Sequence, residues 1–193
     1  MWGDLIKIGV LLREKEDCYS LNKEVNNIIS KYNCSLIGIT GYDVDILKMV
    51  DGFILQGGID YTMDDMRVID YLYKNNIPTL GICLGMQSMG VYKNGRLCYV
   101  KKHKCDKKYV HEVKIDTNSK LYDIIKKDRV VVNSRHNEAL LFTDMHVVAK
   151  TLDGVIEGIE DTSKKFFIGL QWHPESLDDV TSKRIFDAFF NSI

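Results

Sequence analysis

The chain has 193 residues, of which 45% are hydrophobic, so it can bury one good-sized core, and we expect a single domain spanning residues 1–193. The 26 basic and 27 acidic residues nearly cancel, which disfavours nucleic acid and anionic membranes and favours a small or weakly charged partner. Five cysteines without a C-x-x-C pair argue against a disulfide framework and a structural zinc site, and they fit a reducing cytoplasm.

Residues 1–12 are briefly apolar, carry Asp4 and lack a small-residue cleavage pattern. They predict a first strand rather than a signal peptide. No apolar run in the sequence approaches the roughly 20 residues that span a membrane. We therefore expect an unexported, cytoplasmic protein without a membrane partner.

Through the first half of the chain, short apolar runs alternate with amphipathic stretches, which is typical of a parallel sheet covered by helices. The predicted elements are the strand Ile6–Leu12, the helix Leu21–Tyr32, the strands Ser35–Thr40 and Gly52–Leu55, the helix Asp64–Asn75 and the strand Thr79–Ile82. The second half is richer in strands, predicted at Glu112–Ile115, Arg129–Val132, Val147–Leu152, Val155–Glu160 and Phe166–Leu170, before a last helix at Asp178–Asn191. Asp153-Gly154 supplies a hairpin turn.

This pattern predicts an α/β fold of the flavodoxin-like, doubly wound kind. Its central sheet should be mostly parallel with helices on both faces. The strand-rich second half should add an antiparallel region.

Gly81-Ile82-Cys83-Leu84-Gly85 forms a G-x-C-x-G turn between an apolar strand and a helix-compatible run. This is the pattern of a nucleophile elbow with sulfur in place of oxygen. The N-terminus of a helix favours thiolate over thiol, so Cys83 gains nucleophilicity from its position. The bland alternative is a tight turn with a buried, inert cysteine.

Two backbone amides are candidates for an oxyanion hole. The Leu84 N–H follows the nucleophile, and a second donor should come from Gly57-Gly58, because glycines let backbone amides approach a ligand closely.

His173-Pro174-Glu175 supplies a general base and a partner that orients it. Residues two apart in an extended segment share a face, so Glu175 can reach the imidazole nitrogen that faces away from Cys83. Pro174 pushes His173 toward extended geometry. The alternative is an ordinary surface histidine at a strand end.

The other histidines are weaker candidates. His103, Cys105 and His111 are irregularly spaced for zinc, so we predict no metal site and no cofactor. His146 should be structural or exposed. The stretch Lys101–Lys108 is expected to be a solvated loop.

These motifs resemble the class I glutamine amidotransferases, whose hallmarks are a G-x-C-x-G-x-Q elbow and a late H-P-E, present here as Gly81 to Gln87 and His173 to Glu175. Within that superfamily the chain is most similar to the γ-glutamyl hydrolase branch. Four segments support this: Gln56 to Asp60, Val132 to His136, Asp153 to Glu160 and Gly169 to Glu175.

The resemblance implies that Cys83 is the nucleophile, His173 the base and Glu175 its orienter, with the Gly58 and Leu84 amides as the oxyanion hole. It also implies that five residues surround the glutamyl end of the substrate: Gly57, Gln87, Asn133, Ser134 and His136. A polar loop after a buried strand is the plainer account of residues 133–136.

The chain departs from the branch on the leaving-group side. The long insertion after G-G-x-D is missing, and Leu84, Asn137 and Glu138 replace the usual residues. The acceptor pocket should therefore be more open or differently charged.

Three hypotheses follow: a hydrolase of γ-glutamyl amides, a glutaminase subunit that passes ammonia to a synthetase partner, or a catalytically silent binding domain. The triad favours the first two, and the first needs only a small-molecule γ-glutamyl substrate. The sequence does not determine the oligomeric state, and a homodimer is one of the possibilities.

Overall fold

The computed structural model describes residues 5–193, with fifteen strands and six helices. The strands are β1 (Ile6–Leu11), β2 (Arg13–Lys15), β3 (Cys18–Ser20), β4 (Cys34–Ile39), β5 (Gly52–Leu55), β6 (Thr79–Ile82), β7 (Arg96–Tyr99), β8 (Lys104–Cys105), β9 (His111–Ile115), β10 (Arg129–Val132), β11 (Ser134–Arg135), β12 (Glu138–Phe142), β13 (His146–Thr151), β14 (Ile156–Glu160) and β15 (Phe167–Leu170). The helices are α1 (Lys23–Ile29), α2 (Val44–Leu47), α3 (Met63–Lys74), α4 (Leu84–Tyr92), α5 (Lys120–Ile125) and α6 (Val180–Asn191), with a 3-10 turn at Pro174–Ser176.

Nine strands form one sheet in the order β10-β9-β13-β14-β15-β6-β5-β1-β4. The five strands from β15 to β4 are parallel, whereas β14, β13, β9 and β10 continue the sheet in antiparallel pairs. Three two-stranded ladders, β2-β3, β7-β12 and β8-β11, stand outside it. The predicted α/β sheet with an added antiparallel region is confirmed.

Helices cover both faces of this sheet. One apolar cluster joins α1, α5 and α6 to side chains such as Ile8, Ile54 and Leu170, and the other joins α2, α3 and α4 to Phe53, Leu55 and neighbours. Alternate residues of β5 thus enter opposite clusters, as the two-residue period of a strand requires. Both faces of the parallel strands are buried, which explains their nearly continuous apolar runs.

Most predicted elements lie within two residues of their observed bounds, and three strands, Gly52–Leu55, Thr79–Ile82 and Arg129–Val132, match at both ends. The predicted helix Leu21–Tyr32 is shorter, because the Asn22 side chain accepts hydrogen bonds from the Glu24 and Val25 amides and caps the first turn at Lys23. The predicted turn joins β13 to β14, with Gly154 at a φ of 87°.

Several elements were missed: the short helices α2 and α5 and the strands of the three small ladders. Each has two to six residues, too few to express a helical or strand period. Within residues 5–193, no helix combines the length and apolar character needed to cross a membrane.

The fold determines where the predicted motifs meet. Parallel strands end at one edge of a sheet, and β5, β6 and β15 are neighbours there. Gly57-Gly58 follows β5, Cys83 follows β6, and His173 lies three residues beyond β15. This carboxyl edge is where open α/β sheets bind ligands.

Candidate active site

Cys83 stands in a strained turn between β6 and α4. Its backbone has a φ of 52° and a ψ of −108°, outside the ordinary regions for a residue with a side chain. The Cys83 amide donates to the Leu170 carbonyl at 2.8 Å, and its own carbonyl accepts from Gln87 N at 3.0 Å. The turn is therefore held by the sheet on one side and the helix on the other, which maintains a conformation that costs about 1–3 kcal/mol.

The glycines on either side of this turn are sterically required. A Cβ at Gly85 would overlap the Leu55 carbonyl oxygen, and one at Gly81 would meet the Met89 sulfur and the backbone of Gly85. The close approach of α4 to β5 and β6 thus depends on both glycines, as the elbow pattern predicted.

His173 and Glu175 form a buried pair beside Cys83. The His173 Nδ1 to Glu175 Oε1 distance is 2.7 Å. Burial alone would lower the pKa of His173, but hydrogen bonds to Cys83 and Glu175 and the negative charge of both outweigh it and raise that pKa to about 10. These contacts therefore favour the imidazolium form of His173. The Cys83 and His173 side chains remain slightly exposed, at 7% and 8% for the whole residues.

Asn133 fixes the backbone that carries His173. Its Oδ1 accepts from the His173 amide and its Nδ2 donates to the His173 carbonyl, both at 2.8 Å. The residue is fully buried in the middle of these contacts. Its amide is occupied within the protein, and the substrate contact implied for it stays a prediction.

The buried side-chain amides of Gln171 and Gln87 connect the Cys83 thiol to strand β12. Gln171 Nε2 lies 3.5 Å from the Cys83 sulfur, and its Oε1 accepts from Gln87 Nε2 at 3.0 Å. Gln87 Nε2 also donates to the Glu138 carbonyl at 2.8 Å. Gln171 was not among the predicted site residues, although its place two residues before His173 in the Q-W-H-P-E motif offered a signal, since residues two apart share a strand face.

Gly57 and Gly58 lie against the same centre. A Cβ at Gly57 would stand 3.1 Å from His173 Cε1 and 3.6 Å from Cys83 Cβ, and one at Gly58 would come within 2.8 Å of Leu84 Cδ2. The Gly58 and Leu84 amides donate no hydrogen bond to another residue in the described part of the chain. Two free N–H groups therefore lie on adjoining segments next to the thiol.

A cavity of about 950 Å³ opens at these glycines. Its wall includes the β2-β3 hairpin, the loop from Gly57 to Asp60 and the start of α3. Five carboxylates line it, at Glu14, Glu16, Asp60, Asp64 and Asp65, against the two cations Arg13 and Lys15. Arg13 is paired with Asp65 at 2.5 Å, so the remaining wall is predominantly acidic.

Ser134 and His136 make their polar contacts with a second buried cluster of side chains and with the nearby backbone. Ser134 Oγ donates to the His103 carbonyl at 2.5 Å, and His136 Nδ1 lies 2.9 Å from the Glu138 carbonyl. The other His136 nitrogen faces Glu157 Oε1 at 3.4 Å. Their implied contact with substrate stays a prediction.

One expectation needs correction here. The stretch Lys101–Lys108 is not wholly a solvated loop, because His103 is buried and its chain pairs with β11. His103 and His111, set aside for their irregular spacing, lie together beside Glu157, whereas Cys105 is not in the group. His146 is exposed and 3.1 Å from Asp116, as expected.

The family model for Peptidase C26 matches residues 62–175, more than half of the chain and a span that contains Cys83, His173 and Glu175. The chain belongs to this family. The match confirms the resemblance to the class I glutamine amidotransferases.

Two relatives agree with the family. A glutamine amidotransferase-like protein of Rickettsia prowazekii is 28% identical, with 69% of this chain and 73% of that protein covered. The glutamine-hydrolyzing GMP synthase of Francisella tularensis subsp. novicida is 27% identical over 74% of this chain but only 27% of its own length. The chain therefore corresponds to about a quarter of that synthase.

A solved structure supports the fold. The glutaminase domain of Trypanosoma brucei CTPS, with bound acivicin, superposes with a TM-score of 0.76 at 17% identity, covering 97% of this chain and 93% of that one. At this identity the likeness concerns the fold alone.

Proposed function

We propose that this chain is a cysteine-dependent amidohydrolase that cleaves the γ-glutamyl amide bond of glutamine or of a γ-glutamyl-amine conjugate. The observation that carries the proposal is the buried His173-Glu175 pair next to a strained cysteine at a helix N-terminus. A structural cysteine needs neither the strain nor the imidazole, so the arrangement favours catalysis over a silent scaffold.

In the first half-reaction, the Cys83 thiolate attacks the γ-carbonyl carbon and forms a tetrahedral intermediate. Protonated His173 gives its proton to the departing nitrogen, the C–N bond breaks and the amine leaves, which produces a γ-glutamyl thioester. In the second, water loses a proton to His173 and attacks the thioester carbonyl. Glutamate leaves and the thiolate is restored.

The remaining roles follow from position. Glu175 holds Nδ1–H of His173 and stabilises its positive charge. The free N–H groups of Gly58 and Leu84 would donate hydrogen bonds to the oxyanion of the tetrahedral intermediate, and the loss of one such donor lowers kcat by about 10²–10³-fold. Gln171 Nε2 lies 3.5 Å from the Cys83 sulfur and would orient it.

The wall of the adjoining cavity favours a cationic leaving group. The carboxylates that line it outnumber the cations by five to two, so an amine that keeps a second positive charge should enter more readily than a carboxylate-bearing one. This agrees with the missing insertion, which leaves the acceptor side open.

A second candidate is a glutaminase subunit that supplies ammonia to a synthetase. The observation in its favour is that the chain covers 27% of a glutamine-hydrolyzing synthase, as one part of a larger enzyme would. It predicts low activity of the isolated chain and stimulation by the partner.

The first test is selective alkylation with iodoacetamide near pH 7, read by peptide mass spectrometry. All five cysteines are free and Cys18 is exposed, so reaction of nearly buried Cys83 ahead of Cys18 would report its thiolate character. His173→Asn should slow that reaction, while His146→Asn, a change of an exposed histidine, should not.

The second test is a screen of γ-glutamyl amides, including glutamine, polyamine and polyglutamate conjugates, with detection of released glutamate. Turnover that Cys83→Ala abolishes supports the hydrolase, and release only after a synthetase is added supports the second candidate. If Cys83 reacts no faster than Cys18 and Cys83→Ala changes no activity, both proposals fail.

All five cysteines are free, which supports placing this chemistry in the reducing cytoplasm predicted from the sequence.

A further inference from the structure

His103, His111, His136 and Glu157 form a second polar centre, in addition to the one at Cys83 and His173. These residues come from four places: the chain before β8, the start of β9, the chain after β11, and β14. Glu157 has no exposed surface, and His103 and His136 are also buried. The proposed reaction uses none of the four side chains.

The imidazole nitrogens converge on one carboxylate oxygen. Glu157 Oε1 lies 3.4 Å from His111 Nε2, 3.4 Å from His136 Nε2 and 3.8 Å from His103 Nδ1. These three nitrogens and both Glu157 oxygens have no well-aligned hydrogen bond within residues 5–193, although the nearby His111 and His136 lower the pKa of Glu157 against the effect of its burial. A buried polar group without a well-aligned partner destabilises the fold, so five at one point require an explanation.

The outward contacts of two imidazoles decide which nitrogens carry protons. His136 Nδ1 is 2.9 Å from the Glu138 carbonyl, which can only accept, so Nδ1 carries the hydrogen. His103 Nε2 is likewise 3.1 Å from an Asp153 carboxylate oxygen. In the neutral rings, the nitrogens facing Glu157 are therefore lone pairs that point at an anionic oxygen. A cation between them removes this repulsion.

The distances from the three imidazole nitrogens to Glu157 Oε1 are compatible with zinc coordination. With zinc-ligand bonds near 2.05 Å, two ligands of a tetrahedron are about 3.3 Å apart. The distances to His111 and His136 agree within about 0.1 Å, and His103 needs a movement of about 0.5 Å. The ligand atoms of His103, His111 and Glu157 lie within 4.8 Å of one another. His136 Nε2 is near Glu157 Oε1 but outside this group, so its ring must move toward the other two imidazoles to become the fourth ligand. Imidazole and carboxylate are ordinary zinc ligands.

The surroundings also have the form of a zinc site. Metal-bound histidines usually donate their second N–H to a carboxylate or a carbonyl, which fixes the ring. His103 does so to Asp153 and His136 to Glu138. We propose that His103, His111, His136 and Glu157 form a closed, structural zinc site that ties the antiparallel half of the sheet to the segment behind His173.

The test measures metal in the tag-free full chain, purified without added zinc and dialysed. We expect one zinc per chain in the wild type, and its loss in Glu157→Gln and in His136→Gln. His146→Gln is the matched control, because His146 is exposed and pairs with Asp116 outside the cluster, and it should retain the metal. Retention of zinc by the first two variants would overturn the proposal.

A second measurement uses wild-type protein and does not depend on whether the variants fold. Chelator-treated protein is titrated with Co²⁺. We expect the visible bands of a four-coordinate ion at one equivalent, without thiolate charge-transfer absorption because no cysteine takes part. Zinc added to the metal-free chain should raise its Tm by several degrees. No stoichiometric metal, no such spectrum and no change in Tm would mean that shared protons hold the cluster.

Discussion

Replacing Asn133 by alanine separates two roles for a residue that the family resemblance places at the substrate. In the structure its amide makes both of its hydrogen bonds with the backbone of His173, at 2.8 Å each. Asn133→Ala leaves a buried N–H and a buried carbonyl unpaired. At about 1–3 kcal/mol for each group, the free energy of unfolding should fall by roughly 2–6 kcal/mol, less what entering water restores.

The effect on turnover should be in kcat. Both polar atoms of the amide bond the His173 backbone and set its position, and a misplacement of about 1 Å can cost around 10²-fold in rate. We therefore expect kcat to fall by about that factor with KM little changed. Urea unfolding gives the stability, and glutamate release from the best substrate of the screen gives the kinetics.

Arg135→Ala is the control from the same segment. Arg135 is exposed and donates to Ser176 Oγ at 3.0 Å, so its loss should change stability by no more than about 0.5 kcal/mol. A raised KM with unchanged kcat and stability in Asn133→Ala would refute the positioning role and restore the substrate contact.

Three further predictions concern the same centre. The pKa of His173 is raised from 6.5 to about 10, so protonated His173 stabilises the fold fully below pH 6.5 and this contribution is lost as the pH rises through about 10. In Glu175→Gln this stabilisation should be lost at lower pH, because the pKa of His173 falls without the carboxylate. Urea-unfolding midpoints measured across this pH range check it, and identical midpoint-against-pH curves for the wild type and the variant would contradict the pairing. Gly57→Ala places a Cβ 3.1 Å from His173 Cε1 and should lower kcat by about tenfold while leaving the circular dichroism spectrum unchanged; a kcat equal to that of the wild type would show that the ring has room to move. Gln171→Leu removes the donor 3.5 Å from the Cys83 sulfur and should slow alkylation of Cys83 by iodoacetamide near pH 7, whereas an undiminished rate would exclude Gln171 from stabilising the thiolate.

The catalytic motifs were predictable because each is contiguous and carries its own geometry. The glycine pair around Cys83 dictates the turn. His173 and Glu175 do meet, but across the 3-10 turn Pro174–Ser176 and not along the extended segment that was predicted. Parallel strands then bring both motifs to one edge of the sheet without further information. The long buried strands were equally predictable from the sequence, since their apolar runs reflect burial on both faces of the sheet.

The small ladders and the second polar centre could not be predicted in the same way. A two-residue strand such as β8 has no period, and it is defined by its partner β11 rather than by its own sequence. The four residues of this cluster, including Glu157, are separated by up to 54 positions in the chain, from 103 to 157, and zinc motifs are recognised from short, regular spacings. Their proximity is a product of strand pairing.

The segment 133–138 illustrates where pattern and packing diverge. Polar residues after a strand usually indicate an exposed loop, and a resemblance then suggests substrate contact. Here Asn133, Ser134 and His136 are buried, and each directs a polar atom to a defined backbone group. Buried polar side chains persist only when their donors and acceptors are matched, so this segment must hold the backbone of His173 on one side and of His103 on the other. Its polarity therefore follows from the rigidity that the base requires, whether or not a substrate reaches it.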